Sequence, residues 1–115
     1  KTMILSGNGQ NIYPEEIEAK LNNLPFVAES LVYQKNGRLE ALVYPDELAA
    51  KKAGVTIEEA WEQIKGQRKQ LNAKLGSYEM VTKFVLQRTP FIKSPKRSIK
   101  RHLYKDGIEV TQTNG

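Results

Sequence analysis

The chain has 115 residues, of which 39% are hydrophobic and 27% are charged, as in one globular domain with a modest core. It contains no cysteine, which excludes disulfides and thiolate metal sites, and we expect no metal site of any kind. No apolar run approaches the roughly 20 residues that a transmembrane helix needs, and no signal peptide is evident, so we expect a cytoplasmic protein. Because the chain starts at Lys1 and not at methionine, we interpret it as a piece of a longer protein.

The net charge of +5 is unevenly distributed. Between residues 88 and 105 the chain holds seven lysines and arginines and no acidic residue: Arg88, Lys93, Lys96, Arg97, Lys100, Arg101 and Lys105. Such a segment suits an anionic partner, for example a nucleotide, the phosphates of CoA, nucleic acid or an acidic protein face. The alternative is a solvated basic segment with no partner.

Hydrophobic periodicity and turn signals predict the following order of elements. They are a short strand at 3–5, a helix at 14–23, strands at 27–35 and 38–44, a short helix at 47–53, an amphipathic helix from about 56 to 75, a strand at 78–87, and an extended basic segment from 89 onward.

Local signals define several boundaries of these elements. Asn36-Gly37 predicts a type I′ hairpin turn, because both residues tolerate a positive φ. Thr56 and Glu59 have the spacing of a capping box, and Gly76 is placed to end the same helix. We therefore predict an α+β fold with a small three-stranded core sheet and an N-terminal β-hairpin, covered by helices. The domain is expected to span residues 1–105, and residues 106–115 are expected to form a disordered tail.

Residues 9–18 read Gly-Gln-Asn-Ile-Tyr-Pro-Glu-Glu-Ile-Glu and match the pattern G-x-N-[IV]-x-P-x-E-[IV]-E at every fixed position. Gly9 permits a backbone conformation, or an approach to a ligand, that a β-carbon would forbid. Pro14 suits the first position of a helix, where its missing amide hydrogen is not needed. Glu15 and Glu16 then favour the positive end of the helix dipole.

This string resembles the loop that opens the small C-terminal domain of AMP-forming acyl-CoA synthetases, a superfamily that includes luciferase and peptide-synthetase adenylation domains. The resemblance implies two reaction steps in a full-length enzyme, formation of acyl-AMP from ATP with Mg²⁺ and a carboxylate, then thioester formation with CoA. It also implies that the N-terminal adenylation domain of the same chain, which holds the nucleotide pocket, is the main partner. The isolated domain is therefore predicted to be inactive.

The resemblance assigns three functional places. Lys1 falls at the hinge about which the small domain rotates between the two steps. The loop from Ser6 to Asn11 lines the CoA tunnel in the thioester-forming pose, through Gly7, Asn8, Gly9, Gln10 and Asn11. A late loop enters the active site during adenylation.

That late loop is similar to P-[KR]-T-x-[ST]-G-K-[IVL]-x-[RK], where the lysine stabilises charge that develops at phosphorus. Ile99 and Arg101 match this pattern, but Arg97 stands at the glycine position and Ser98 at the lysine position. A neutral serine cannot supply the charge. If the segment is extended, Lys96, Ser98 and Lys100 share one side, and Lys96 becomes a candidate substitute for the missing lysine. The alternatives are that the loop works differently in this branch of the family, or that the protein adenylates poorly.

We therefore expect the mobile C-terminal domain of a carboxylate–CoA ligase. An extra residue in the first loop and the overall character of the sequence suggest the long-chain fatty-acid branch. One alternative is an adenylation enzyme that serves a carrier protein. Another is a non-enzymatic basic module that binds nucleic acid, which we disfavour because neither the G-x-x-G clamp of KH domains nor an aromatic RNP pattern is present. The single histidine, His102, gives no basis for a catalytic or metal site.

Overall fold

The computed structural model describes residues 2–109. The strands are β1 (Ile4–Leu5), β2 (Asn11–Ile12), β3 (Val27–Lys35), β4 (Arg38–Pro45), β5 (Val81–Leu86), β6 (Tyr104–Lys105) and β7 (Ile108–Glu109), and the helices are α1 (Pro14–Leu21), α2 (Glu47–Ala53), α3 (Ile57–Gly66) and α4 (Arg68–Asn72). Two single 3₁₀ turns lie at Ser77–Glu79 and Arg101–Leu103.

The central sheet has the order β3-β4-β5, and it confirms the predicted α+β fold with a three-stranded core sheet. β3 and β4 form an antiparallel hairpin, and β5 returns parallel to β4 after the helical crossover α2-α3-α4. Asn36 and Gly37 have φ values of 52° and 77°, which is the predicted type I′ turn. The short strands β1 and β2 pair as the predicted N-terminal hairpin.

Alternate residues of the sheet face two separate hydrophobic clusters. On one side α1 and the crossover helices cover a cluster that includes Ile17, Val32, Val43 and Ile64. On the other side Leu31, Tyr33 and Leu42 pack against Phe91 and Tyr104, whose rings meet edge to face with centroids 5.2 Å apart. Among the described residues, α-helices therefore cover one face of the sheet, and the segment after β5 covers the other.

The crossover differs from the single long helix predicted from 56 to 75. The capping box of Thr56 and Glu59 is present, but the helix stops at Gly66, and Gln67 breaks the helical dihedrals before α4 begins. After the break, the side chain of the buried Asn72 accepts a hydrogen bond from the Val81 amide and donates one to the Val81 carbonyl, each at 2.9 Å. Gly76 does not end this helix, because α4 already ends at Asn72; instead Gly76 precedes the following 3₁₀ turn.

The end of the described chain corrects the expected tail. Asp106 and Gly107 form a turn with φ values of 53° and 79°, and β6 pairs with β7 across it. Residues 106–109 therefore belong to a hairpin, while residues 110–115 of the expected tail lie outside the described residues. Across the described residues 2–109, no helix is long and apolar enough to cross a membrane, and no group of three or more potential ligands could hold a metal ion.

Candidate functional site

The loop of the first motif is a tight three-residue hairpin loop between β1 and β2. The Ser6 amide donates to the Gln10 carbonyl at 2.9 Å, and the Gly9 amide donates to the Ser6 carbonyl at 3.0 Å. The Ser6 hydroxyl also accepts a hydrogen bond from the Gln10 amide at 2.9 Å. Gly9 has a φ of 80°, in the left-handed region that a β-carbon disfavours.

The loop of the late motif has the same construction. The Ser94 amide donates to the Ser98 carbonyl at 2.8 Å, and the Arg97 amide donates to the Ser94 carbonyl at 2.8 Å. The Ser94 hydroxyl accepts from the Ser98 amide at 3.3 Å. Lys93 and Ile99 close the base of the loop as an antiparallel bridge. The two candidate functional loops are thus one hairpin-loop type, a turn followed by a left-handed residue.

This geometry overturns the expectation of an extended segment. Because residues 95–97 form the loop between two short arms, Lys96, Ser98 and Lys100 do not alternate along one strand and do not share one side on that account. Lys96 is exposed in the turn. Its role as a substitute for the missing lysine is untested by the fold and stays a proposal.

The same geometry explains the glycine of the late pattern. Arg97 has a φ of 68°, the left-handed region that glycine enters most easily. Arg97 aligns with the glycine position of the pattern, just as Gly9 fills the left-handed position of the first loop. The backbone of the late loop therefore keeps the conformation for which the pattern selects glycine, although the side chain differs.

A buried ion pair anchors the segment that follows the late loop. The Arg101 guanidinium donates from Nη2 to Glu18 Oε1 at 2.5 Å and from Nη1 to Glu18 Oε2 at 2.8 Å. Glu18 Oε2 also accepts a hydrogen bond from the Val32 amide on β3 at 2.7 Å. Glu18 is only 7% exposed and Arg101 is half-buried, so the pair joins the late segment to α1 and β3.

Two neighbouring acidic residues extend this cluster. Glu15 Oε2 lies 3.8 Å from Arg101 Nε and accepts a hydrogen bond from the Thr2 amide at 3.3 Å. On the other arm of the loop, Lys93 forms an ion pair with Glu29 of β3. Both arms of the late hairpin are therefore held to the body of the domain by charge pairs.

Burial dominates the electrostatics of this cluster. It raises the pKa of Glu18 above its ordinary value, and the hydrogen bonds from Arg101 and Val32 only partly offset it. Burial also acts against ionisation of Glu15, but its own backbone amide, the charge of Arg101 and hydrogen bonds from Thr2 together lower its pKa. Burial disfavours the charge of Arg101 as well, yet Glu18 and Glu15 outweigh it and raise the Arg101 pKa.

These groups border an open polar cleft of about 310 Å³. Its walls come from α1, β3 and the late loop, and they include Arg97, Ser98 and Ile99 together with the residues of both ion pairs. The structure thus brings the predicted Ser98 next to charged residues of the first motif. Within the described part of the chain, neither Lys96 nor any of the residues 7–11 lines this cleft. Lys1, the predicted hinge, lies outside the described residues.

Sequence reasoning did not find the Glu18–Arg101 pair. It interpreted Glu15 and Glu16 as groups that favour the positive end of the helix dipole, and it counted Glu18 and Arg101 only as matches to the two patterns. A usable signal was present, because Glu18 closes the first motif and Arg101 closes the late one, and both are fixed positions. Opposite charges at fixed positions of two motifs are candidates for a contact.

Comparison with known proteins identifies the family. Residues 1–109 match the family described as the AMP-binding enzyme C-terminal domain. The chain therefore belongs to this family, and it is the C-terminal domain of an adenylate-forming type of enzyme. A search of curated proteins found no match.

Solved structures of adenylate-forming enzymes share the fold. The adenylation domain of a carboxylate reductase from Mycobacterium chelonae has 23% identity and a TM-score of 0.70, with 87% of this chain and 17% of that chain covered. O-succinylbenzoate coenzyme A synthetase from Bacillus subtilis has 23% identity and a TM-score of 0.63, with 95% and 20% covered. A fatty acyl CoA synthetase from Mycobacterium tuberculosis has 26% identity and a TM-score of 0.55, with 87% and 18% covered. The chain thus spans about one fifth of the length of these structures.

Proposed function

We propose that this chain is the mobile C-terminal domain of an ATP-dependent, AMP-forming carboxylate–CoA ligase that acts on fatty acids. In this proposal Lys1 is the hinge, the loop at 6–11 lines the path of the thiol in the second step, and the loop at 94–98 enters the active site in the first step. ATP with Mg²⁺, the carboxylate and CoA are substrates of the whole enzyme, and acyl-AMP is its intermediate. An N-terminal adenylation domain of the same chain would hold most of their contacts.

The observation that carries the proposal is the family match over residues 1–109, joined to two motif loops of identical construction. A similar structure, the didomain of a carboxylic acid reductase from Segniliparus rugosus, is described in complex with AMP, which supports nucleotide chemistry for the larger enzyme. The fatty-acid substrate is supported by the fatty acyl CoA synthetase, at 26% identity.

A second candidate acceptor is a carrier protein. The Segniliparus structure joins an adenylation domain to a carrier domain, and it superposes on this chain with a TM-score of 0.67. Two other similar structures are CoA synthetases by name, which favours CoA as the acceptor. The choice between the two acceptors is part of the test.

The test uses the full-length protein with ATP, Mg²⁺ and a series of fatty acids from short to long chains. Acid-dependent pyrophosphate exchange measures adenylation, and appearance of acyl-CoA measures the second step. We expect pyrophosphate exchange with medium-chain or long-chain fatty acids, and formation of a thioester when CoA is the only acceptor supplied. Exchange without a CoA thioester would favour the carrier protein, and no exchange with any fatty acid would refute the proposed substrate.

The role of the first loop is tested by Gly9→Ala with Gly54→Ala as the matched control. Both glycines have a positive φ, 80° and 74°, and an added β-carbon would meet no atom within 4 Å at either, so both variants carry similar backbone strain. Gly54 ends α2, outside the first loop. We expect only Gly9→Ala to slow thioester formation, by tenfold or more, with adenylation nearly unchanged. Equal losses in both variants would contradict the assigned role.

The late loop is tested at positions 98 and 96. A preorganised charge is typically worth about 10²–10³ in rate, so Ser98→Lys is expected to raise adenylation substantially. If Lys96 substitutes for the missing lysine, Lys96→Ala lowers the adenylation rate of the natural protein. The same change has a much smaller effect in a protein that already carries Ser98→Lys. If Lys96→Ala changes nothing while Ser98→Lys strongly raises the rate, the substitution by Lys96 is wrong.

A further inference from the structure

The late loop is connected to the body of the domain through its two arms. Its own hydrogen bonds close the hairpin, and the Lys100 amide donates to the Ile92 carbonyl at 2.9 Å, so the hairpin is internally rigid. Its orientation on the body, however, depends on what holds its two arms. One arm is held by the Lys93–Glu29 pair. The other is held by the packing of Ile99 against the second hydrophobic cluster and, just beyond it, by the Arg101–Glu18 pair.

Of these attachments, the Arg101–Glu18 pair has the most restrictive geometry. Both carboxylate oxygens of Glu18 bind the guanidinium, and one of them also binds the Val32 amide. A two-point contact of this kind fixes direction as well as distance, which a single lysine contact cannot do. Glu18 is itself held on α1, whose Ile17 and Leu21 are fully buried, so the anchor point does not move independently of the core.

Arg101 is close enough along the chain to govern position 98. Three residues span at most about 10 Å, and the bridge between Lys93 and Ile99 makes the intervening segment part of the same hairpin. A shift or rotation of Arg101 would therefore be transmitted to Ser98. Displacements of about 1 Å at a reacting centre can reduce rates about 10²-fold.

We propose that Glu18 and Arg101 form a positioning pair that sets where the 94–98 loop points, and so where residue 98 sits during adenylate formation. This inference rests on the proposed function of the loop. It makes a specific distinction between the two steps, because the late loop is assigned to adenylation and the first loop to thioester formation. Neither residue of the pair contacts substrate in this scheme.

The experiment compares Glu18→Gln, Arg101→Met and Arg101→Lys in the full-length protein. Asn72→Ala is the matched control, because Asn72 is equally buried, at 8% exposed, and makes two hydrogen bonds to Val81 at the far end of β5 from the late loop. Adenylation is measured by pyrophosphate exchange, and the second step by supplying preformed acyl-adenylate with CoA. Hydrogen exchange of segment 91–101 is followed in the same samples.

We expect Glu18→Gln and Arg101→Met to lower adenylation at least tenfold while the second step stays within about twofold. Arg101→Lys, which keeps the charge without the two-point contact, should fall between these variants and the natural protein. Amides of residues 93–100 should exchange faster in the pair variants and not in Asn72→Ala. Equal losses in both steps, or the same pattern in Asn72→Ala, would overturn the positioning role.

Failure of the proposed function would look different. If the natural full-length protein forms no acyl-adenylate, the proposed function is wrong. The amide hydrogen exchange rates of residues 93–100 alone then decide whether the pair positions the loop. If the amide hydrogen exchange of that segment is unchanged in both Glu18→Gln and Arg101→Met, the inference is overturned, whatever the enzymatic activity of the variants.

Discussion

Arg97 shows how a single residue can depart from a sequence pattern without changing the backbone. Its φ of 68° is the conformation that Gly9 adopts in the equivalent place of the first loop. A side chain in the left-handed region costs about 1–2 kcal/mol. The backbone of the late loop is therefore strained at Arg97, and glycine would remove that strain. The loop also exposes an arginine side chain where the pattern has glycine.

Replacing Arg97 with glycine is expected to raise the free energy of unfolding by about 1 kcal/mol, because relief of the strain exceeds the entropy that glycine adds to the unfolded chain. Lys96→Gly is the control, since the φ of Lys96 is not positive and only the entropic loss applies. Urea denaturation measures both. A lower midpoint for both variants would mean that the left-handed conformation is not maintained in solution.

The Glu18–Arg101 pair also predicts how stability depends on pH. Burial raises the pKa of Glu18 above its ordinary value. A carboxyl group with a raised folded-state pKa favours the folded protein in its protonated form, so this contribution is complete below the unfolded pKa and is lost as pH rises through the folded pKa. Arg101 limits that loss by pairing with the carboxylate.

Removing the guanidinium should therefore expose a pH dependence. Arg101→Met is expected to be about 3–5 kcal/mol less stable than the natural protein near neutral pH, and to recover part of this loss as pH falls toward the unfolded pKa of Glu18. Adding Glu18→Gln should abolish the additional slope. Chemical denaturation across this pH range measures it, and parallel curves for Arg101→Met and the natural protein would contradict the prediction.

At the scale of elements, the fold uses one turn type twice. Asn36-Gly37 closes the β3–β4 hairpin and Asp106-Gly107 closes the β6–β7 hairpin, with nearly equal φ values in the two turns. Their surroundings differ. A β-carbon on Gly37 would meet no atom within 4 Å, whereas on Gly107 it would lie 2.5 Å from the hydroxyl oxygen of Tyr33. Tyr33 cannot easily move, because its ring is buried and its hydroxyl donates to Glu40 at 2.8 Å.

The two glycines therefore form a matched pair for mutation. Gly37→Ala is expected to lower the free energy of unfolding by about 1 kcal/mol through backbone strain alone. Gly107→Ala should lose about 1–3 kcal/mol more, because the added methyl group also displaces Tyr33. Equal denaturation midpoints for the two variants would show that the C-terminal hairpin does not pack on Tyr33 in solution.

At the scale of the whole molecule, the sheet has helices on one face and the late segment on the other. Phe91 and Tyr104 attach the late segment to the sheet, and the Tyr104 hydroxyl accepts a hydrogen bond from the Ile92 amide at 2.8 Å. The loop at 94–98 thus projects from a packed platform. In the proposed function this domain presents the loop to a larger partner, which holds most of the contacts with ATP and the acid.

The isolated chain is accordingly expected to catalyse neither step. We expect no acid-dependent pyrophosphate exchange from residues 1–115 alone, under conditions in which the full-length protein is active. Folding of the isolated chain is checked first by its cooperative denaturation. Exchange above the background by a correctly folded isolated chain would mean that this domain contains an adenylation site of its own.

The sequence by itself determined most of the elements, because their signals are local. The bounds of β3 and α2, the Asn36-Gly37 turn, the capping box at Thr56 and the start of α1 at Pro14 were all predicted correctly. The family also followed from sequence, since the first motif matches at every fixed position. Asp106-Gly107 carried the same kind of turn signal as Asn36-Gly37, but it was assigned to a disordered tail.

Only the tertiary structure decided the shape and attachment of the late loop. Prolines at 90 and 95 indicate an irregular segment, but they do not distinguish an extended chain from a hairpin loop with Arg97 in the left-handed region. Likewise, nothing local joins Glu18 to Arg101, which are 83 residues apart. Contacts of this kind depend on how α1 and the late segment pack around β3, and that packing is a property of the whole fold.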